Sequence, residues 1–372
     1  MQQVVLGWLV FDLTDSSTMV GMVFALRAAP NLVVGFVAGA IADRLDRRTL
    51  MRLATFGMAL MSLLVAWFIS VEQLAVWHMF VYAGVLGTLF SFEMTARQAY
   101  VYDVVGSRSA IQGMAMNSLA QRVGGALGAL LAGATLQGWG ASVSFLLMSL
   151  CYGIGACALY ALRQQGAAAP LVREPLWQNL RSYVQALRTN RLMRSLIVST
   201  AAAEILGFSH QVMLPVLAEN VLHVGAAGLG VLTTLRFVGG MLGVAMLTLL
   251  GHAYSQGRLL MIALALFGVG EMLLAQATHF WLAGLSVAFI NVMASATDIL
   301  HHTLLQRSVS NEQRGRAMGS WVIGTGTAPV GHLEIGYLAG MTSASVVLML
   351  HGIVLLTLPL VLTLCFPQLR RL

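Results

Sequence analysis

The sequence is a nearly unbroken series of apolar stretches of about 20 residues, separated by short polar connections. Hydrophobic residues make up 58% of the chain and charged residues only 9%, whereas soluble domains average about 45–50% and about 25%. A helix of about 20 residues is about 30 Å long, which matches the hydrocarbon thickness of a bilayer. The bilayer must therefore be the solvent for most of this chain, and the sequence predicts an all-α membrane protein.

Eleven of these stretches are long enough to cross the membrane. They are predicted at 18–42, 50–70, 74–96, 111–136, 141–163, 192–218, 226–251, 259–277, 281–305, 315–340 and 343–366. Residues 1–13 are also apolar but too short to cross, and we interpret them as the outer end of a first span whose cytoplasmic half is missing. Met1 is then an internal methionine, a mis-assigned start or the edge of a truncated chain, and the intact protein is expected to have twelve spans.

The arginines indicate which side of the membrane each connection faces. All 21 basic residues are arginine. Nearly all of them lie in one alternating set of connections, at 43–52, 97–110, 163–194, 252–258 and 306–316, and in the tail 367–372. The opposite set holds none, so the positive-inside rule places the arginine-rich set in the cytoplasm. We therefore expect a multi-pass protein of the bacterial cytoplasmic membrane, with a cytoplasmic linker and a cytoplasmic C-terminus.

Two pairs of matching segments indicate an internal duplication. Gly21-Met-Val-Phe-Ala-Leu-Arg27 matches Gly230-Val-Leu-Thr-Thr-Leu-Arg236, and Ala115-Met-Asn-Ser118 matches Ala317-Met-Gly-Ser320. Their order fits two six-helix halves related by an axis along the membrane normal. We expect a first half at 1–163, a linker at 164–191 and a second half at 192–372. The linker is predicted to be an interfacial amphipathic helix, and a soluble inter-domain helix is the alternative.

The most charged segment is the decapeptide Gly39-Ala-Ile-Ala-Asp-Arg-Leu-Asp-Arg-Arg48, between two apolar stretches. It resembles the cytoplasmic loop between the second and third helices of the major facilitator superfamily. That resemblance implies a major facilitator fold and a charge clasp between the halves at the cytoplasmic side. The predicted gate motif consists of Gly39, Asp43, Arg44, Asp46, Arg47 and Arg48. Arg52, one turn into the next helix, is expected to matter mainly for topology.

Other segments resemble one branch of this superfamily, the enterobactin-exporter and macrolide-efflux branch. They are Gly7-Trp-Leu-Val-Phe-Asp-Leu-Thr14, the helix start at Gly21 and Glu312-Gln-Arg-Gly-Arg316. The resemblance implies proton-driven export of a small organic molecule, siderophore-like or drug-like, by alternating access. The Gly-Pro found in many exporters of the superfamily is incomplete here, because Gly125 or Ala126 stands where the proline would be.

Several charged residues are predicted near the middle of the membrane, where an unpartnered charge is expensive. Arg27, Arg122 and Arg236 are candidates for lining a cargo cavity, and Glu204 or Glu271 for carrying a coupling proton. The alternative is an internal network of ion pairs that only fastens helices together. Five further candidates lie nearer the cytoplasm. The i,i+4 pairs Glu93/Arg97 and Asp298/His302 could lock the inner ends of helices, and His301 and His302 could relay protons.

Secondary active export is the function favoured by these patterns. The alternatives are an uptake permease of the same fold and a membrane sensor or scaffold that does not transport. The sequence contains no Walker A loop, no Gly-x-Ser-x-Gly elbow and no metal-ligand spacing, so we expect neither an enzyme nor a cofactor or metal. Topology explains the arginines, which argues against nucleic-acid binding. The expected partners are a small-molecule substrate, protons and the lipid bilayer, and the expected state is a monomer.

Overall fold

The computed structural model describes residues 1–42, 46–161, 190–250, 254–308 and 321–366, and all the regular secondary structure in these ranges is helical. We number the helices in chain order as α1 (Gln2–Thr14), α2 (Ser17–Ala42), α3 (Arg47–Ser70), α4 (Val76–Gly106), α5 (107–139), α6 (141–161), α7 (Arg191–Val221), α8 (Gly225–Leu250), α9 (Gln256–Ala275), α10 (Phe280–Arg307), α11 (Ala328–Met341) and α12 (Ala344–Cys365). The predicted linker 164–191 lies almost entirely outside the described residues, as does the tail 367–372.

Eight helical segments of the described ranges are long and apolar enough to cross a membrane, and one of them, Gln112–Ala161, covers both α5 and α6. The residues predicted as a short first helix form α1, which has 13 residues and is therefore about 20 Å long. Its side chains from Val4 to Leu6 and from Leu9 to Phe11 are buried in the core. The architecture is that of an all-α membrane protein, as predicted.

Two predicted connections are shorter than the apolar pattern indicated. The chain is helical from 97 to 105 and again from 107 onward, and it turns at Gly106, where φ is 71°. It turns in the same way at Gly140, where φ is 80°, between α5 and α6. Glycine adopts such positive φ angles without steric cost. Hydropathy marks where a helix leaves the apolar layer, whereas the helix itself continues until its backbone is interrupted.

The helices form two sets, α1–α6 and α7–α12, which meet chiefly where α2 packs on α11 and α5 packs on α8. We call the side of the molecule that carries the arginine-rich connections the inner side, and the opposite side the outer side. Both contacts include helix segments nearer the outer side. A Cβ at Gly21 would lie 2.9 Å from the Cα of Gly336, and one at Gly133 would lie 2.9 Å from the Cα of Gly230. The two sets therefore touch backbone to backbone at these two points.

Arg52 fastens α3 to the inner end of α6. Its Nε and Nη2 donate to the carbonyl oxygen of Leu159, at 3.0 and 2.8 Å. Its guanidinium lies 4.2 Å from the ring centre of Tyr160. These contacts join α3 to the last described turn of α6.

Replacing Arg52 with glutamine should lower the free energy of unfolding of the purified protein by about 1.5–3 kcal/mol, because charged hydrogen bonds to Leu159 are lost. The thermal unfolding midpoint should fall as a result. Differential scanning fluorimetry in detergent measures this change. Arg194, an exposed arginine of α7, provides the matched control Arg194→Gln, which should change stability by less than about 0.5 kcal/mol. Equal midpoints for the two variants would mean that Arg52 serves topology alone.

Candidate functional site

A cavity of about 820 Å³ lies between the two sets of helices. Its described walls come from α1, α2, α4, α5 and α6 on one side and from α7, α8 and α10 on the other. The lining residues extend from the middle of these helices towards the inner side. The ionisable side chains of the described lining are Arg27, Arg97, Arg122, Arg236, Tyr152, Cys151 and Asp298. Arginines therefore outnumber acids on these walls by four to one.

Arg27 and Arg236, which the internal duplication relates, occupy similar settings. Nη2 of Arg27 lies 3.5 Å from Oε1 of Gln2, and Nη1 of Arg236 donates to Oε1 of Gln3 at 2.9 Å. Each guanidinium also lies near an aromatic ring, 5.6 Å from the centre of Phe90 for Arg27 and 5.4 Å from that of Phe237 for Arg236. Among the described residues, neither arginine forms an ion pair with a carboxylate.

Arg122 reaches the same cavity from α5. Its Nη1 lies 3.4 Å from Oγ of Ser295, and its guanidinium covers Gly240. The charge of Arg236 interacts with those of Arg27 and Arg122. Asp298 is the acid whose charge acts on Arg122. The structure thus brings the three candidate arginines to one cavity, together with a single described acid.

The two candidate glutamates lie elsewhere. Glu204 belongs to a π-helical turn of α7, Ala203–Gly207, and the charge of Asp298 acts on it. Glu271 is fully buried in α9, only four residues before that helix ends at Ala275. It therefore lies in the part of α9 that is nearer the outer side. Neither glutamate is among the described residues that line the cavity.

The inner-side candidates form separate contacts. Arg97 and Glu93 make an i,i+4 ion pair at 3.4 Å. Asp298 interacts electrostatically with His302, which packs edge-on against Trp321 with ring centres 5.6 Å apart. His301 is buried, and its Nε2 lies 2.6 Å from Oγ of Ser199 on α7. Of these residues, only Arg97 and Asp298 line the described cavity.

The described part of the charged segment forms the start of α3. Oδ2 of Asp46 accepts hydrogen bonds from the backbone N–H of Thr49, at 3.2 Å, and from its hydroxyl, at 2.9 Å, so Asp46 is the N-cap. Nη1 of Arg47 donates to both carboxylate oxygens of Asp103, at 2.7 and 2.6 Å. Arg48 follows in the first turn of α3, and Gly39 lies in α2. Asp43 and Arg44 lie outside the described residues.

Removing the carboxylate of Asp103 should destabilise the protein, because the side chains of this pair are only 11% and 14% exposed. We expect Asp103→Asn to lower the free energy of unfolding by about 1–3 kcal/mol. A double-mutant cycle with Arg47→Gln measures the coupling between the two side chains. The double variant should lose clearly less than the sum of the single losses, whereas strictly additive losses would show that the contact contributes no interaction energy.

The structure brings into these sites several residues that the sequence did not predict. They are Gln2, Gln3, Asp103, His210, Asn291 and His351. For Asp103 a signal existed, because it is an isolated acid within an arginine-rich connection. For the others the partner is set by packing between helices that are distant in the sequence.

Comparison with known proteins identifies the class. The sequence profile of the transmembrane secretion effector family matches residues 1–370. The chain therefore belongs to this family of the major facilitator superfamily. Its relatives are transporters, so the protein is a multi-pass membrane transporter and not an enzyme.

Individual relatives are distant but match over most of their length. The staphyloferrin A transporter of Staphylococcus aureus is 24% identical over 333 residues, which cover 89% of this chain and 83% of that protein. The enterobactin exporter EntS of Citrobacter koseri is 26% identical over 378 residues, with 96% and 86% covered.

Solved structures share the fold. A variant of the nucleoside transporter NupG superposes with a TM-score of 0.82 at 14% identity, covering 98% of this chain and 94% of its own. A POT family transporter in complex with a thioalcohol-conjugated peptide gives a TM-score of 0.79 at 10% identity, covering 99% and 93%. The predicted major facilitator fold is confirmed.

Proposed function

We propose that this protein is a secondary active exporter that moves a small anionic organic molecule, of the siderophore class, out of the cell by alternating access. The observation that carries the proposal is the cavity lined by Arg27, Arg122 and Arg236, with Asp298 as the only acid on its described walls. The siderophore class comes from the relatives, one a staphyloferrin A transporter and one an enterobactin exporter.

The electrostatics of the cavity favour an anionic cargo. Burying an unpaired cation is costly. If these arginines only fastened helices together, we would expect each to be paired with a carboxylate. Gln2 and Gln3 are instead neutral, so they satisfy hydrogen bonds of Arg27 and Arg236 without cancelling their charge. A guanidinium presents several donors in a fixed plane and binds carboxylate-like oxygens well. An anion entering the cavity would therefore neutralise charges that the described residues leave uncompensated.

Alternating access would use the two contacts between the sets of helices. In the structure, α2–α11 and α5–α8 touch backbone to backbone towards the outer side, while the lining of the cavity extends towards the inner side. Opening the outer side would require these contacts to separate. The gate motif, including Asp43 and Arg44, would then hold the inner side closed, with one protein chain acting as a monomer in the bilayer. In this scheme the linker, the C-terminus and the gate motif are cytoplasmic.

Glu204 and Glu271 remain the two candidates for the coupling proton. Glu204 interacts with Asp298, an acid of the cavity lining. Glu271 contacts His210, which connects it to the cavity through Asn291. A carboxyl group that binds and releases a proton in each cycle would couple cargo export to the proton gradient.

Transport assays in membrane vesicles of both orientations test the proposed export. Inside-out membrane vesicles with an acidic interior should accumulate iron-free enterobactin or iron-free staphyloferrin A, and an ionophore that collapses the proton gradient should stop this. Accumulation only in right-side-out vesicles would instead establish an uptake permease. No flux of either probe in either orientation, with the protein folded and inserted, would contradict siderophore export and favour a sensor or scaffold.

A further inference from the structure

A second group of ionisable side chains lies outside the described cavity, in the outer part of α7, α9, α11 and α12. Nδ1 of His210 lies 3.3 Å from Oε1 of Glu271. Nε2 of His351 lies 3.4 Å from Oε2 of Glu334. His210, His351 and Glu271 are at most 3% exposed as residues. These four residues form two acid–imidazole pairs within the second set of helices.

The π-helical turn of α7 brings the two pairs together. Nδ1 of His210 lies 2.7 Å from the carbonyl oxygen of Gly207, and Nδ1 of His351 lies 3.0 Å from that of Leu206. These carbonyls belong to consecutive residues, so both imidazoles are held at the same turn. Single π turns within α-helices are frequent at functional sites, because they disrupt the regular hydrogen-bond ladder. The charge of His351 also acts on Glu271, so the pairs interact electrostatically.

The two pairs connect the cavity with an exposed part of α11. Asn291 lines the cavity, and its Nδ2 lies 3.4 Å from Nε2 of His210. At the other end, the side chain of Glu334 is 37% exposed. Both carboxylate oxygens of Glu271 lack a hydrogen bond in the described structure. A charged, unpaired carboxylate there would be expensive, so Glu271 must hold a proton or face an imidazolium.

A further imidazole, that of His332, lies close to His210. His332 of α11 accepts or donates a hydrogen bond with Gln211 at 3.1 Å. Its ring interacts electrostatically with His210, Arg27 and Arg236.

We propose that Glu334, His351, Glu271 and His210 form a proton relay between the outer side and the cavity, with Asn291 as its inner end. This proposal rests on the proposed function. A proton from the outer side binds the carboxylate of Glu334 and passes to the imidazole of His351, breaking an O–H bond and forming an N–H bond. The imidazolium then releases it to the carboxylate of Glu271. Glu271 passes it to Nδ1 of His210 in the tautomer whose hydrogen is on Nε2, and the Nε2–H proton leaves towards Asn291 and the cavity. His210 is then left with the Nδ1–H that faces the carbonyl oxygen of Gly207. Each step moves one proton, and the transmembrane gradient supplies it.

A comparison of gradient-driven transport with counterflow tests the relay. Counterflow exchanges labelled for unlabelled iron-free enterobactin across vesicles without net proton movement. Glu271→Gln, Glu334→Gln and His351→Gln should each reduce gradient-driven accumulation at least tenfold while changing counterflow less than twofold. Glu219→Gln, an exposed acid of α7, is the matched control and should retain both activities.

The outcomes separate the relay from the proposed function. If His351→Gln and Glu334→Gln accumulate the probe at the wild-type rate, the relay is wrong even though export stands. If wild-type vesicles show neither accumulation nor counterflow, the proposed function fails instead.

A measurement without cargo tests the relay in that case too. Infrared spectroscopy follows the exchange of the Glu271 carboxyl proton for deuterium in purified protein at an acidic pH, with Glu271→Gln identifying the band. The double variant Asn291→Leu/His351→Phe closes both ends of the relay and should slow the exchange at least tenfold. Asn291→Leu/Glu334→Gln provides a second variant if the first does not fold. Unchanged exchange in a folded double variant would overturn the relay.

Discussion

Replacing Gly133 with leucine should abolish transport and hold the outer side of the molecule open. A Cβ at this position would lie 2.8 Å from the carbonyl oxygen of Ala226 and 2.9 Å from the Cα of Gly230. A leucine side chain can only be accommodated if α5 and α8 move apart. Overpacking costs about 1–3 kcal/mol, and about 1.4 kcal/mol changes the ratio of two states tenfold. We therefore expect at least a tenfold loss of transport rate.

Cys151 provides a reporter for this opening, because it lines the cavity. In a background with Cys157→Ser and Cys365→Ser, a membrane-impermeant maleimide added from the outer side should label Cys151 much faster in the leucine variant. At Gly138, on the same helix, an added Cβ would meet no atom of another described helix within 4 Å, so Gly138→Leu is the matched control. Equal labelling and equal transport in Gly133→Leu and Gly138→Leu would show that the α5–α8 contact does not close the outer side.

Removing both repeat-related arginines should have the largest effect on cargo affinity. A hydrogen bond to a charged group contributes about 1.5–3 kcal/mol, which is about 10- to 150-fold in affinity. We expect Arg27→Gln and Arg236→Gln each to raise the Kd for iron-free enterobactin at least tenfold, and the double variant at least a hundredfold. Isothermal titration calorimetry on the purified protein measures these constants.

Arg194→Gln again serves as the control and should leave the Kd for iron-free enterobactin unchanged. Arg97→Gln should have a smaller effect than the cavity pair, because Arg97 already forms an ion pair with Glu93. A double variant of Arg27 and Arg236 with wild-type affinity would mean that the two arginines do not bind the cargo.

The sequence predicts the class of fold because apolar length and arginine placement are local properties of the chain. It also predicts the equivalence of Arg27 and Arg236, since the duplication is visible as matching residues. Both side chains line one cavity, which lies between the two sets of helices.

Contacts between helices that are distant in sequence could not be predicted. His210 and Glu271 are on α7 and α9. Glu271 stands out as a charge within an apolar stretch, but nothing in the sequence marks His210 as its partner. Their contact depends on the π-helical turn at Ala203–Gly207, for which the apolar sequence around it gives no signal. Gln2 is a similar case, because a polar residue at the end of a short apolar helix resembles an ordinary terminus until Arg27 is placed beside it.

The location of bound cargo tests the central claim most directly. An electron cryomicroscopy or crystal structure of the purified protein with saturating iron-free enterobactin should show density inside the cavity, in contact with Arg27 and Arg236. The same density should be absent from a structure of the Arg27→Gln/Arg236→Gln variant prepared identically. Cargo density in the wild-type protein that lies outside the cavity, or that contacts neither arginine, would contradict the proposal that this cationic cavity is the transport site.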